Sequence, residues 1–285
     1  MHNHSIIKLI QHSNYLPEIP KEFGEILNLL REPYDYHIDD CVSILSKIKG
    51  IEGVLIKALN YKTNNKINTL KDAVVYLGAK NTRMIAIAFI TRMMLPDKYG
   101  RTKIFNRNIY WKHCLGTSMA SYFIATKTGL CDRDRMFTYG LIHDIGITVL
   151  DICIPSHLDR IFTIQAQQGL HQIAAEKTVL EGITHADIGM WICRKWGLPD
   201  EICDIVGYHH TPFVDNKTSN EVKVMHLADS ISTVYYEKLL GSNKSLIYFD
   251  KTRELLKLSN EFVDNLIRRL PQEVDRISGL IDFEF

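Results

Sequence analysis

The stretch Leu141-Ile142-His143-Asp144-Ile145-Gly146 runs apolar residues into an adjacent imidazole and carboxylate, then reaches a glycine. Its leucine and isoleucines draw it into a core, so His143 and Asp144 go in with it. A buried charge is costly unless it is paired, hydrogen-bonded or held on a metal. Asp144 therefore demands partners. The chain offers His113 upstream and His185, His209, His210 and Asp229 downstream. A fold that satisfies this stretch has to bring those residues together.

The flanking patterns are helical. Asp132 is placed to cap the helix that carries the stretch, with Met136, Tyr139, Gly140 and His143 on one stripe and Gly146 near its end. Val149 to Ile154 is β-branched and could pass for a strand, but no partner strand lies nearby, so it reads as helix ended by Pro155. Upstream, residues 108–128 form a long helix closed by Gly129. His113 shares a face there with Ile109, Gly116, Thr117, Ala120 and Ile124, and the small residues among them let another backbone or an ion come close. Downstream, 158–169 and 173–180 are helical patterns. Thr184 and Asp187 form a capping pair that puts His185 in a first turn. Ile202, Ile205, Val206 and His209 share one side of a helix stopped by Thr211-Pro212, and Val222, Met225, Asp229 and Ser232 share a face of the next.

The first third reads as short helices. Phe23, Ile26, Leu27 and Leu30 mark one; Asp39 is placed to cap a second, with Val42, Leu45 and Ile48 on one face and Gly50 at its end. Val54 to Leu59 marks a third. Thr69 and Asp72 cap a fourth that Gly78 closes, and Asn81 to Leu95 is largely apolar. Residues 1–14 read as a loose end, 97–106 as a domain boundary, 241–245 as a linker, and the remainder as two or three short amphipathic helices. No repeat or strand pattern emerges, and the expected class is all-α.

Composition bounds the function. A 285-residue chain with 46% hydrophobic and 24% charged residues is an ordinary globular protein. A formal charge of +1 gives no electrostatic case for nucleic acid or a membrane surface. The six cysteines contain no Cys-x-x-Cys pair and read as small buried thiols. The N-terminus lacks a signal-peptide apolar core, and the longest apolar run, Ile85 to Ile90, is too short for a span. A cytoplasmic protein is expected.

Imidazoles and carboxylates together suit a divalent ion such as Fe, Mn or Zn, as one ion or two. A carboxylate can bridge a pair, and a bridged pair can activate water for attack on a phosphoester. Taken singly, each residue has a plainer reading. His113 or His185 could be a hydrogen-bonded core histidine, as His157, His171 and His226 are taken to be. His209-His210 could cap helix carbonyls, and Asp229 could accept from backbone or tyrosine groups. Trp111, Trp191 and Trp196 read as core. The combination of two carboxylates and several histidines on helix faces points to a site.

The order His113, His143-Asp144, His185, His209-His210, Asp229 resembles the HD superfamily of helical metal-dependent phosphohydrolases. The rest resembles its HDOD branch: LPEIP at 16–20, KALNYKTNNKINTLKDAVVYLGAKNTRMIAI at 57–87, WKHCLG at 111–116, GLIHDIG at 140–146, THADIGMWICRKWGLPDEI at 184–202 and HHTP at 209–212. The similarity covers roughly residues 14–235. It implies an N-terminal helical subdomain over 14–100 and an HD-like helical core over 105–238, and the amphipathic patterns beyond read as a C-terminal helical extension over 242–285. The resemblance also implies a scaffolding or output domain of bacterial signal transduction, a class regarded as lacking demonstrated catalysis. No fused receiver or output domain fits in the chain, so a signalling partner bound in trans is expected. Residue by residue, His113, His143, Asp144 and Asp229 match the basic HD tetrad, and His185, His209 and His210 match the extra ligands of multi-metal relatives. The chain departs from the HD-GYP phosphodiesterases, which carry a lysine where this chain has Ile147 and a Gly-Tyr-Pro motif where it reads TPFVDN. Three readings follow: a regulatory module that keeps its metal; a phosphohydrolase of a nucleotide or other phosphoester, with Asp144 bridging or orienting; or a polar network without metal.

Overall fold

A computed structural model describes residues 4–19, 21, 24–25, 37–62, 67–94, 102–214, 218–236 and 248–281. Among these residues every regular element is a helix, which makes the class all-α as expected. The helix expected over Phe23 to Leu30 and the linker 241–245 lie outside the described residues for the most part. The chain divides into two compact units, one of residues 1–18 and 95–275, the other of 19–94 and 276–285.

In the smaller unit, α2 (Ile38–Leu45), α3 (Ile51–Lys62) and α4 (Leu70–Met93) pack with α4 against both others. Val54, Leu55, Ala58 and Leu59 of α3 and Ala73, Val74, Ile87 and Phe89 of α4 are buried. Asn60 closes the α3–α4 connection, its amide bonding both backbone groups of Ile67. Thr69 caps α4 by accepting from the Asp72 amide at 3.1 Å. Gly78 adopts φ 72° and ψ 162°, which breaks α4 where the sequence places a helix end. Asp39 does not cap α2: His37 holds that position, and Asp39 sits in the first turn, where the helix dipole favours a carboxylate, paired to Lys71 at 2.8 Å.

In the larger unit, residues 5–11 are not a loose end. They form α1 (Ser5–Gln11), with Ile6, Ile7 and Ile10 buried and the helix packed on α7 (Ile145–Cys153). Three isoleucines at helical spacing outweigh the polar composition around them. The core is α5 (Arg107–Thr128), which packs against both α6 (Arg133–Ile142) and α12 (Asn220–Tyr236). α10 (His185–Lys195) packs on α7 and on α11 (Asp200–Tyr208). α8 (Pro155–Gln168) and α9 (Gln172–Val179) form a pair beside α7, with Pro155 opening α8 at a position where its missing amide costs nothing. Two helices, α13 (Phe249–Leu255) and α14 (Asn260–Ile281), follow, the second longer than the short elements expected there. Residues 102–106, read as boundary, are tied down: the Lys103 and Ile104 amides donate to Asp159, and Thr102 and Arg107 both bond Asp151.

Arg133–Cys153 is long and apolar enough by composition to cross a bilayer, yet 94% of that window is buried in the fold. The two halves of α4 pass the same test only when read together across Gly78.

Close helix crossings set the architecture, and glycines permit them. A Cβ on Gly146 would lie 1.9 Å from the His185 carbonyl oxygen, and one on Gly140 would lie 2.6 Å from the Ser118 Cα. Gly146→Ala should therefore push α10 off α7 and cost about the 1–3 kcal/mol typical of overpacking. Gly279→Ala meets nothing within 4 Å in a helix and should leave stability unchanged or slightly raised. Urea unfolding of both variants checks the contrast; equal midpoints would contradict it.

Candidate metal centre

Five places in the fold deliver the seven residues singled out in the sequence. His113 projects from the first half of α5, and Asp229 from the middle of α12. His185 is the first residue of α10, set by a full capping box: the Thr184 hydroxyl accepts from the Asp187 amide, and the Asp187 carboxylate accepts from the Thr184 amide at 2.8 Å. His209 ends α11 and His210 follows it. His143 and Asp144 do not lie inside one helix, as the sequence stripe implied. α6 stops at Ile142 and α7 starts at Ile145, so the pair occupies the break between them. Asp144 has φ −100° and ψ 18°, outside helical values. It stands at the N-cap of α7, but its side chain caps nothing, which leaves the carboxylate free to face the histidines while the helix dipole favours its charge.

The two oxygens of Asp144 face different imidazole pairs. Oδ1 lies 3.1 Å from His185 Nε2 and 3.3 Å from His209 Nε2. Oδ2 lies 3.5 Å from both His113 Nε2 and His143 Nε2. Asp229 repeats the division, with Oδ1 at 3.2 Å from His113 and 3.6 Å from His143, and Oδ2 at 3.5 Å from His210 Nδ1. Two ligand sets result, Asp144 with His185, His209 and His210, and Asp144 with His113 and His143. All seven residues are thus brought together.

The ring orientations are fixed from behind. His143 Nδ1 donates to the Gly140 carbonyl and His209 Nδ1 to the Val206 carbonyl, each at 2.8 Å, so both turn Nε2 into the cluster. His209 does bond a helix carbonyl, as the plainer reading had it, but with the nitrogen that faces away from the site. Three further residues support the cluster, and sequence reasoning missed their part in it. Glu176 accepts from His185 Nδ1. Tyr110 Oη donates to the Asp144 carbonyl at 2.8 Å. His226, one of the core histidines, donates from Nδ1 to the His209 carbonyl at 2.7 Å. Glu176 had a signal: it shares a helix side with Val179 and Leu180, both buried, and an acid there is out of pattern. His171 is not a core residue; it caps α9.

A divalent ion fits this donor set. His113 Nδ1 and Nε2, His143 Nε2, His209 Nε2 and Asp144 Oδ1 are buried and make no hydrogen bond. Buried polar atoms seldom lack partners, and four of these five converge on one place. Two donors that each sit about 2.1 Å from one ion lie about 3.0–3.4 Å apart; Asp144 Oδ1 is 3.1 and 3.3 Å from its two imidazoles, and the remaining His–Asp spacings reach 3.6 Å. Burial by itself raises the carboxyls of Asp144 and Asp229, but the surrounding imidazoles outweigh it and hold both well below the ordinary range. Burial likewise lowers His113, and the two carboxylates overcome it, carrying the ring from 6.5 to about 10. His210 goes the other way: burial and the neighbouring His209 hold it well below 6.5.

These shifts give a pH dependence. A histidine whose folded pKa is raised contributes stability that is fully present below about 6.5 and lost as pH climbs to the folded value. The metal-free protein should therefore lose the His113 contribution between pH 6.5 and about 10. A divalent ion displaces the ring proton, so its binding strengthens over the same range. The Tm gain on adding Mn2+ should increase from pH 6 to pH 8; a gain that shrinks as pH rises would contradict the site. Asp144→Asn should remove most of that gain at either pH.

The family model for the HDOD domain matches residues 16–212, about two thirds of the chain. A curated relative, an uncharacterized protein from Treponema pallidum, is 22% identical over 202 residues, and the aligned region spans 68% of this chain but only 37% of that protein. Among solved structures, an HDOD domain protein of unknown function from Geobacter sulfurreducens superposes with a TM-score of 0.75 at 20% identity, covering 96% of this chain and 97% of the other. A candidate signal-transduction protein from Marinobacter aquaeolei gives 0.75 at 18% identity, covering 97% and 64%. A candidate metal-dependent phosphohydrolase from Shewanella amazonensis gives 0.61 at 13% identity, covering 97% and 96%. At these identities the structures speak to the fold, and that fold, with the sequence match across both the lead-in helices and the histidine-bearing core, places the chain in the HDOD domain family.

Proposed function

We propose that this chain is a signalling or regulatory HDOD module whose core holds a pair of divalent ions, Fe, Mn or Zn, at an HD-type site. The observation that carries the reading is the division of Asp144, one oxygen toward His185 and His209 and the other toward His113 and His143. Asp144 and Asp229 would be the shared ligands and the five histidines the terminal ones. Such ions tie α5, α10, α12 and two interhelical turns together, so occupancy would set how firmly the core is held. Six of the seven side chains are at least nine-tenths buried, and His210 alone reaches 22% exposure. A centre this closed favours holding over turnover. The signal-transduction name of the Marinobacter neighbour supports the regulatory part of the reading, which includes a signalling partner bound in trans.

A second reading, a phosphohydrolase of a nucleotide or other phosphoester, has a specific observation behind it. A carboxylate shared between two ligand sets is the arrangement in which a metal pair, when bound, activates water and clamps both oxygens of an in-line displacement. Against it stands the charge around the site. Every ion pair that Asp144 and Asp229 make among the described residues is with a histidine. Ile147, in the first turn of α7, is buried and brings no cation for a phosphate.

Two measurements separate the readings. Mn2+ at about 100 times its dissociation constant should stabilise the chelator-stripped protein by about 2.7 kcal/mol. Asp144→Ala should abolish that gain while keeping its helical circular-dichroism signal. Under the same conditions the metal-loaded protein should not hydrolyse bis(p-nitrophenyl) phosphate, nucleoside triphosphates or cyclic dinucleotides. Metal-dependent turnover lost in Asp144→Ala would overturn the first reading for the second. Wild type unmoved by Mn2+, Fe2+ and Zn2+ would overturn both.

A further inference from the structure

The histidines of the centre are not backed alike. His143 and His209 each spend Nδ1 on a neutral backbone carbonyl of the helix that ends just before them. His113 Nδ1 is buried without a hydrogen bond. His185 is different: its Nδ1 lies 2.7 Å from Glu176 Oε1 and 2.8 Å from Oε2. Glu176 is 0% exposed and comes from α9, outside both ligand sets. Its remaining bonds hold it in place. Oε2 accepts from the His185 backbone amide at 2.9 Å, and Oε1 accepts from the Gln172 side chain at 2.7 Å. The carboxylate is thus pinned at both oxygens, and the donors it collects are His185 twice and Gln172 once.

We propose that Glu176 is a positioning residue that fixes His185 as an Nε2 ligand and makes the two metal positions unequal, the His185 side being the tighter. The proposal rests on the metal-binding reading above. A carboxylate behind an imidazole locks the proton on Nδ1, orients the ring and makes the ligating nitrogen more basic. A carbonyl does the first two with less effect on basicity. Charge argues the same way. Two divalent ions bring +4 into a buried space where Asp144 and Asp229 supply −2; Glu176 adds a third negative charge beside one ion only. The asymmetry is built into the fold, because α9 contacts the His185 ligand set and the described residues behind His143 and His209 offer carbonyls.

The test uses the full chain, stripped with chelator and titrated with Co2+, followed by calorimetry and by the visible bands of bound cobalt. Wild type should bind in two steps. Glu176→Gln keeps the shape and one acceptor oxygen but removes the charge; it should weaken the tighter step about 10- to 100-fold and leave the other in place. His185→Ala should remove that same step, and adding Glu176→Gln to it should change nothing further, since Glu176 acts through His185. Glu176→Asp, which restores the charge, should recover part of the lost affinity. Should Glu176→Gln not keep the wild-type circular-dichroism signal, Glu176→Asp is compared in its place and should weaken the same step alone. Two unchanged steps, two equally weakened steps, an effect that persists without His185, a single wild-type step, or failure of both Glu176 variants to fold would each overturn the proposal. A wild type that takes up no Co2+ instead overturns the metal-binding reading beneath it.

Discussion

A carboxylate buried at the break between two helices is the constraint on which the larger unit depends. Asp144 cannot be left unpaired in an apolar interior, because the cost of an isolated buried charge exceeds what the surrounding leucines and isoleucines gain by burial. The chain meets that cost with His143 beside it and with histidines from three other places, and each has to arrive at the right depth and angle. That requirement explains the glycines at the crossings. Gly146 lets the start of α10 lie against α7, which brings His185 to Asp144, and Gly140 lets α6 lie on α5, which brings His143 to His113. Core packing and site geometry are therefore one set of contacts in this unit.

The support behind the ligands is as informative as the ligands. Imidazoles are held by their outer nitrogens, on carbonyls for His143 and His209 and on a buried carboxylate for His185, so their inner nitrogens have one direction to face. The Asp144 backbone is held by the Tyr110 hydroxyl, and the His209 backbone by His226. A preformed set of this kind needs little rearrangement to take an ion. Among the seven residues, the cluster opens to solvent chiefly at His210.

Much of this was legible in the sequence, for reasons that are local. Capping pairs such as Thr184 with Asp187 depend on residues three apart, so the start of α10 could be placed from local spacing alone. The seven ligand candidates could be named because charged and imidazole groups stand out in apolar helical patterns. The break at His143-Asp144 could not be read, because the stripe of Met136, Tyr139 and Gly140 continues in phase across it and the interruption is made by tertiary contacts. α1 was masked by polar neighbours around three isoleucines. Glu176 stands out of pattern on the side shared with Ile173, Val179 and Leu180, but its partner His185 lies on another helix, so its part in the site shows only once the helices are docked.

The central claim is that Asp144 is shared between two ions. Anomalous diffraction at the absorption edge of the bound metal, from crystals of the protein grown with Mn2+ or Zn2+, tests it most directly. The account predicts two peaks, one within about 2.3 Å of Asp144 Oδ1 and His185 Nε2, the other within the same distance of Oδ2 and His143 Nε2. One peak away from Asp144, or no peak among the seven residues, would contradict it.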